Sequence, residues 1–381
     1  MTKKASPPAE PARSFEIDAP LLRAALKDVA DVVERRNTIP VLSNVLMVVT
    51  PSSLTLTATD LDSWGERHVA LDGDADAMTL TVEAAVLGRI ADKLPAEARV
   101  RLAYADGRLT VSAGRSKFAL PTLPADDFPA LPRRDWDAEF EMPAIMLAGA
   151  LSTVAFAIST EETRYYLGGV FIHAPHGADL RFAATDGHRL ARGVMALPDG
   201  AAGLPDVIVP RKVVKVLTTL LGRYEGNVDV RVAAGSIRVE IGSTVVQAKT
   251  IDGQYPDYTR VVPSHHTGLL KVDRETLVAA IARVTTVSSD KTRTVKLVID
   301  RDLIVLSVAS PEHGTAVEEL PCSWAGSALT IGFNSRYLAD ILCHLSAIEV
   351  EATFTDAAGP VLWRDREDAD AVFVLMPMRV S

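Results

Sequence analysis

The strongest constraint in this sequence is that it is written three times. FEIDAPLLRAAL at Phe15, FEMPAIMLAGAL at Phe140 and LKVDRETLVAAI at Leu270 share one apolar pattern, with Leu22, Leu147 and Leu277 at matching positions. A second anchor follows each copy: Val45 in SNVLMVV, Val170 in GGVFIHA and Val295 in TVKLVID, spaced 125 and 125 residues apart. The first anchor is spaced 125 and 130, the difference that a longer connecting loop would make. Self-similarity at a fixed period constrains architecture ahead of any single motif, because each copy must fold as a similar unit. Three similar domains in one chain point to a ring or an array.

Length agrees with the repeat. At 381 residues the chain exceeds the roughly 250–300 at which single cores stop growing, and a third of it is an ordinary domain. The expected organisation is a solvated tail over residues 1–13 and domains over 14–134, 135–265 and 266–381. The tail's lysines have no apolar core behind them, so no secretory signal is read. The longest apolar stretch, around Met146 to Ile158, is too short to span a bilayer. A cytoplasmic location is expected. Cys322 and Cys343 stand at no metal-ligand spacing and make no disulfide scaffold, so both are read as reduced and structural.

Within each copy, runs such as SLTLTAT, RLTVSA, SIRVEI, LIVLSV and DVRVAA alternate apolar and polar residues with the period of a strand. Helical periodicity appears in six segments, two per copy: Pro20 to Val33, Glu83 to Leu94, Pro143 to Ile158, Arg211 to Leu221, Arg274 to Val287 and Asn334 to Leu345. Asp18 and Asp273 stand at helix starts, Pro20 and Pro143 suit a first turn, and Gly222 follows the fourth segment. Tight turns such as ADGR at Ala105 and TDGH at Thr185 imply antiparallel sheets, hence α+β domains with helices on one face.

A net charge of −9 argues against a nucleic-acid partner until it is divided. The helical segments with their flanking turns carry fifteen basic and eight acidic side chains, a surplus of +7, which leaves −16 for the rest. The preference of Lys and Arg for helices and their C-termini produces some such bias by itself. If the helices faced one way, however, they would present a basic surface on an acidic body, a field that draws a polyanion to one side only.

Seven ordered motifs then carry a resemblance: NTIPVLSNVL at Asn37, GRSKFALPTLPADDFPAL at Gly114, TRYYLGGVF at Thr163, ATDGHRLA at Ala184, VIVPRK at Val207, DGQYPDYTRVVP at Asp252 and the terminal VLMPMRV. Over residues 14–380 the chain resembles the bacterial DNA polymerase III beta subunit, the sliding-clamp family. The resemblance implies the DNA clamp fold in a head-to-tail homodimer, a ring with helices inside and sheets outside. Packing distances are consistent with two chains. Helices about 8–10 Å apart give six of them a circumference of about 55 Å and a hole of roughly 8 Å, too narrow for a duplex. Twelve give about 110 Å and a hole of roughly 25 Å, wide enough for B-DNA with a water layer. Two chains are the smallest closed solution, through a heterologous contact that closes.

A ring of this kind reads no sequence, because phosphate contacts carry no base information. By resemblance, Arg36, Tyr165 and Tyr166 are expected to touch DNA; the residues alone leave ordinary sheet packing open for the tyrosines. Glu161 stands where some family members carry an uncharged DNA-facing residue, and a carboxylate there would repel phosphate. The resemblance also implies a groove that takes short hydrophobic motifs of the replicative polymerase, the clamp loader and repair proteins. Its residues would be Leu167, Thr185, Gly187, His188, Arg189, Leu190, Pro256, Arg260 and Val261 with Tyr337, Pro360, Val374, Met376, Pro377, Met378 and Arg379. Methionine, proline and aliphatic side chains suit an adaptable pocket, and edge arginines could bond a peptide's carbonyls. The residues alone also allow VLMPMRV to be a buried closing strand; Pro377 within that pattern suggests an edge. Phe118 and Leu120 match one side of the subunit contact and Thr286 with Val287 the other, Thr286 being more polar than expected.

The rival class is an enzyme, with Asp186, His188 and Arg189 of TDGHR as an acid/base cluster. The first copy has ATD at Ala58 to Asp60 followed by LDS and no histidine, so the shared part reads as turn chemistry. Nucleophile elbows, phosphate-cradling glycine loops and zinc spacings are not found, and no metal or cofactor is expected. A third reading, a monomeric peptide-binding scaffold without DNA, predicts a 40.9 kDa species in solution.

Overall fold

Each of the six α-helices among the described residues grows directly out of a strand. The computed structural model describes residues 12–33, 38–289, 293–365 and 370–380. Helix α1 (Ala19–Ala30) follows strand Arg13–Asp18, α2 (Ala84–Lys93) follows Met78–Glu83, and α3 (Ala144–Ala155) follows Ala138–Pro143. Helix α4 (Arg211–Leu221) follows Val207–Pro210, α5 (Arg274–Val284) follows Gly268–Asp273, and α6 (Ser335–His344) follows Leu329–Asn334. The strand-to-helix step recurs because one apolar pattern is repeated. Its anchors Leu22, Leu147 and Leu277, on α1, α3 and α5, are buried, as are Val45, Val170 and Val295 on strands.

Local chemistry sets the helix ends. Asp273 accepts a hydrogen bond from the Thr276 backbone N–H at 2.8 Å, a cap that also lowers its carboxyl pKa, and Asn334 Oδ1 accepts from Arg336 and Tyr337 N–H groups. Asp18 differs from expectation: its side chain makes no cap bond and instead meets Arg99 at 3.1 Å, leaving Pro20 to shape the first turn. Helix α5 ends before its apolar pattern does, because the backbone tightens into a 3-10 turn over Thr285–Val287 with the Thr285 hydroxyl donating to the Ile281 carbonyl at 2.7 Å.

The described residues divide into two compact units, the first within Met1–Met146, Asp199–Ala201 and Lys215–Thr250, the second within Leu147–Pro198, Ala202–Val214 and Ile251–Ser381. The first unit holds a 12-stranded antiparallel sheet. It is continuous across the first two copies of the repeat, since strand Ser63–Ala70 pairs with Thr244–Lys249, Arg67 opposite Thr244. Helices α1 and α2 pack on each other and on this sheet. Gly65 makes room for that packing: a Cβ there would stand 2.9 Å from Val32 Cγ2. The hairpin expected at ADGR is present, with Asp106 and Gly107 at φ +49° and +69°.

The second unit holds a nine-stranded and a four-stranded sheet. The nine-stranded sheet joins the middle and last copies where strand Arg189–Ala196 pairs with Ala371–Leu375, Leu190 opposite Val374. That pairing positions the site described next. No helix among the described residues is long and apolar enough to cross a membrane.

Candidate functional site

The turn between strands Asp179–Thr185 and Arg189–Ala196 is held largely by its own side chains, beside one backbone bond from Asp186 N to Arg189 O at 3.4 Å. Thr185 Oγ1 donates to the Arg189 carbonyl at 2.6 Å and accepts from Gly187 N at 3.1 Å; Asp186 Oδ1 accepts from His188 N and Arg189 N at 2.9 and 3.0 Å. Gly187 sits at φ +86°. The first copy repeats this bond for bond: Thr59 Oγ1 donates to Ser63 O and accepts from Leu61 N, and Asp60 Oδ1 accepts from Asp62 N and Ser63 N. Leu61 takes the place of Gly187, at φ +75°. A shared hydrogen-bonding pattern without the histidine identifies Asp186 as a turn residue.

Behind the turn, Leu167, Ala183, Leu190, Ile208, Tyr255, Tyr258 and Val374 form a buried apolar cluster. Tyr255 lies flat on Phe171 with ring centres 4.7 Å apart, and burial pushes its hydroxyl pKa up. Tyr258 is held from below by His173, whose Nε2 is 2.8 Å from the tyrosine oxygen. Above this floor opens a cavity of about 260 Å³. Its lining includes ten of the expected groove residues: Leu167, Thr185, Gly187, His188, Arg189, Leu190, Pro256, Val261, Val374 and Met376. Val261 and Met376 remain 45% and 39% exposed, leaving apolar surface uncovered at the mouth. The cavity is apolar with a few polar groups, the make-up of a site for a hydrophobic segment.

Arg189 lines this cavity with each of its three guanidinium nitrogens already donating a hydrogen bond. Its guanidinium donates to Asp186 at 3.1 Å, to Asp340 at 2.6 Å and to the Phe156 carbonyl at 2.7 Å, and lies over the rings of Phe156 and Tyr337. The expectation of a free edge arginine is corrected here. Arg189 shapes the wall, and Tyr337 stands behind it, stacked with His188 at 6.2 Å.

The other expected residues lie off the cavity wall. Arg260 points outward, 82% exposed at its side chain and paired with Asp257 at 2.9 Å. Pro360 precedes strand Val361–Asp365, whose Leu362 packs against the apolar cluster. The C-terminal strand Ala371–Leu375 is paired on both sides, so it is not the edge that Pro377 suggested; Pro377 falls just after the strand ends, where its missing N–H costs no ladder bond. Met378 turns away to donate its N–H to Gly332 O at 2.8 Å, and Arg379 lines a separate hollow with Thr294 and Lys296.

Arg164, Asp257 and Tyr258, none of them among the expected groove residues, also line the cavity, as does Tyr166, expected at DNA. Their signal was present, since each lies within a motif already singled out, TRYYLGG or DGQYPDYTR.

Three family models of the DNA polymerase III beta subunit match this chain: the N-terminal domain over residues 14–132, the central domain over 141–257 and the C-terminal domain over 259–379. The chain belongs to the DNA polymerase III beta subunit family. It is a sliding clamp, a non-catalytic processivity subunit of three similar domains. The beta sliding clamp of Caulobacter vibrioides is 40% identical over 96% of this chain and 99% of that protein. That of Pseudomonas aeruginosa is 36% identical over 96% and 100%. The crystal structure of a Bartonella birtlesii sliding clamp bound to griselimycin superposes with a TM-score of 0.95 at 40% identity, covering 97% of this chain and 100% of that one.

In this clamp the tyrosines expected at DNA share one 3-10 turn, Glu162–Leu167; Tyr165 is 57% exposed and meets Tyr166 edge to face at 5.8 Å. Arg36 lies outside the described residues. Phe118 and Leu120 lie on strand Ser116–Leu123, whose Ser116–Pro121 part pairs, among the described residues, only with Arg108–Ala113; Phe118 is exposed and Leu120 buried. Thr286 and Val287 form the turn after α5, which packs against strand Gly314–Pro321, and Thr286 turns its hydroxyl back to the Arg283 carbonyl at 2.7 Å. Strand Gly314–Pro321 also pairs on one side only among the described residues. Several helical basic residues are exposed, among them Lys27, Arg89, Lys93, Arg211, Lys215 and Arg336, while Arg23 is spent on the Ala91 and Leu94 carbonyls.

Proposed function

We propose that two copies of this clamp close head to tail around duplex DNA in the cytoplasm, each a chain of domains over 14–134, 135–265 and 266–381, and that the ring tethers its partners through the groove. The observation that carries this reading is the groove itself, a preformed apolar cavity with exposed methionine and valine at its mouth. The polymerase, the clamp loader and repair proteins would each insert a short hydrophobic segment there. A floor of stacked aromatic rings is rigid, so little ordering cost would fall on binding. Met376 supplies an adaptable lip that suits several partners.

Closure is supported by the two half-paired strands. Ser116–Pro121 carries Lys117 and the exposed Phe118, whereas Gly314–Pro321 carries the exposed Glu319 beside Glu318, which Arg283 of the same chain already pairs. An open strand edge invites pairing, and opposite charges select which edges meet. Phe118 and Leu120 from one copy would pack on Thr286 and Val287 of the other. DNA would meet the exposed lysines and arginines of the helices, with Tyr165, Tyr166 and Arg36, through phosphate contacts that allow sliding.

Two measurements test the reading. Solution mass must be twice 40.9 kDa, and protein assembled on circular DNA must leave when the circle is cut. Equal loss from circular and linear DNA would rule out topological binding.

A further inference from the structure

The turn Glu162–Leu167 belongs to both proposed sites. Tyr165 and Tyr166 are assigned to the DNA side, yet Tyr166 and Arg164 also line the groove. Arg164 is where the two meet. Its backbone leaves helical geometry at φ −111° and ψ 52°, and its guanidinium donates through Nε and Nη2 to Glu161 Oε2, at 2.8 and 2.7 Å. The remaining nitrogen, Nη1, lies over Gly187, so close that a Cβ on that residue would collide with it. Thus one cation has its anionic partner at the position assigned to DNA and its spare N–H groups at the groove mouth. On the opposite rim Asp257 is occupied by Arg260.

We propose that Arg164 is a cation shared between the two sites with Glu161 as its resting partner, so that duplex DNA beside Tyr165 and a carboxylate in a groove-bound segment oppose each other. The inference rests on the functional reading above. Paired with Arg164, Glu161 presents a neutralised charge to phosphate. A segment whose Asp or Glu draws Arg164 toward the groove uncovers Glu161, and the bare carboxylate then repels the duplex. Linkage makes the effect reciprocal: DNA must weaken an acidic segment by the same factor by which that segment weakens DNA. A neutral segment draws nothing and is indifferent to DNA. Because Arg164 and Glu161 are 34% and 52% exposed at their side chains, the expected factor is small, about threefold, and declines with salt.

The test uses the full chain and two labelled hydrophobic peptides that differ by a single Asp or Asn, with affinity read by fluorescence anisotropy at low salt, for the free protein and for the protein assembled on circular duplex. DNA should weaken the Asp peptide about threefold and leave the Asn peptide unchanged. Arg164→Gln should erase the difference, and Glu161→Gln should strengthen Asp-peptide binding without DNA. An equal DNA effect on both peptides, or one that persists in Arg164→Gln, overturns the proposal. Failure of both peptides to bind the unmodified protein sinks the groove reading instead, and failure of the protein to be retained on the circle sinks the DNA reading.

Discussion

The guanidinium carbon of Arg189 stands 4.4 Å from the centre of the Tyr337 ring, and the same side chain bonds Asp340 of α6 at 2.6 Å. A residue of the middle copy is thereby fastened to the last copy beside the groove. With only 10% of its side chain exposed, Arg189 leaves several acceptors unpaired when removed. Arg189→Ala should cost about 2–3 kcal/mol in urea unfolding, as breaking part-buried ion pairs does, and should abolish peptide binding. Arg189→Lys should rescue little of either, because an ammonium cannot bond three separated acceptors and lie flat between two rings.

A side chain at Gly187 should carry a cost, although Leu61 bears one at the matching position of the first copy. Its φ of +86° strains any L residue, and Arg164 occupies the space a Cβ needs. Gly187→Ala is expected to cost about 1–2 kcal/mol and to lower peptide affinity. Thermal unfolding and anisotropy measured on one preparation would separate the two effects, and unchanged affinity would show that Arg164 moves aside at no cost.

Deleting Met376 to Ser381 removes a wall of the cavity but none of the strand Ala371–Leu375. Partner peptide binding should fall below detection while sedimentation still gives a dimer. A truncated dimer that binds peptide normally would place the groove elsewhere.

The dimer contact should respond to a charge on the open edge. Phe118→Asp places a carboxylate opposite the acidic strand Gly314–Pro321 of a second copy and leaves its own fold intact, since Phe118 is 36% exposed. The expected outcome is a species of 40.9 kDa that still binds peptide, read by light scattering.

Acid should loosen the groove floor through His173. Burial lowers the imidazole pKa below its ordinary value, so the folded state holds a neutral ring where the unfolded chain would already be protonated. The unfolded state therefore binds more protons below about pH 6.5, and stability falls as pH drops from there toward the folded-state pKa, by up to about 1.4 kcal/mol per pH unit. Urea midpoints at about pH 7.5 and 5.5 should differ more for the unmodified protein than for His173→Gln. Equal differences would remove His173 as the cause.

The sequence by itself determined the threefold repeat and the six helices, whereas the groove's residue set came only through the family resemblance of its motifs. The repeat and the helices follow from local periodicity and short motifs: Leu22, Leu147 and Leu277 had to be buried once they recurred on apolar faces, and Thr185 to Arg189 had to turn as Thr59 to Ser63 do. Only the tertiary structure decided what those residues face. Pairing Leu190 with Val374 brings together segments far apart in the chain, and that contact makes Arg189 a fastened wall rather than a free donor. It also carries Met378 and Arg379 past the groove, and gives the last strand neighbours on both sides despite Pro377. Periodicity reports which side of an element is apolar; the partner on that side is set by long-range strand pairing, which no local pattern encodes.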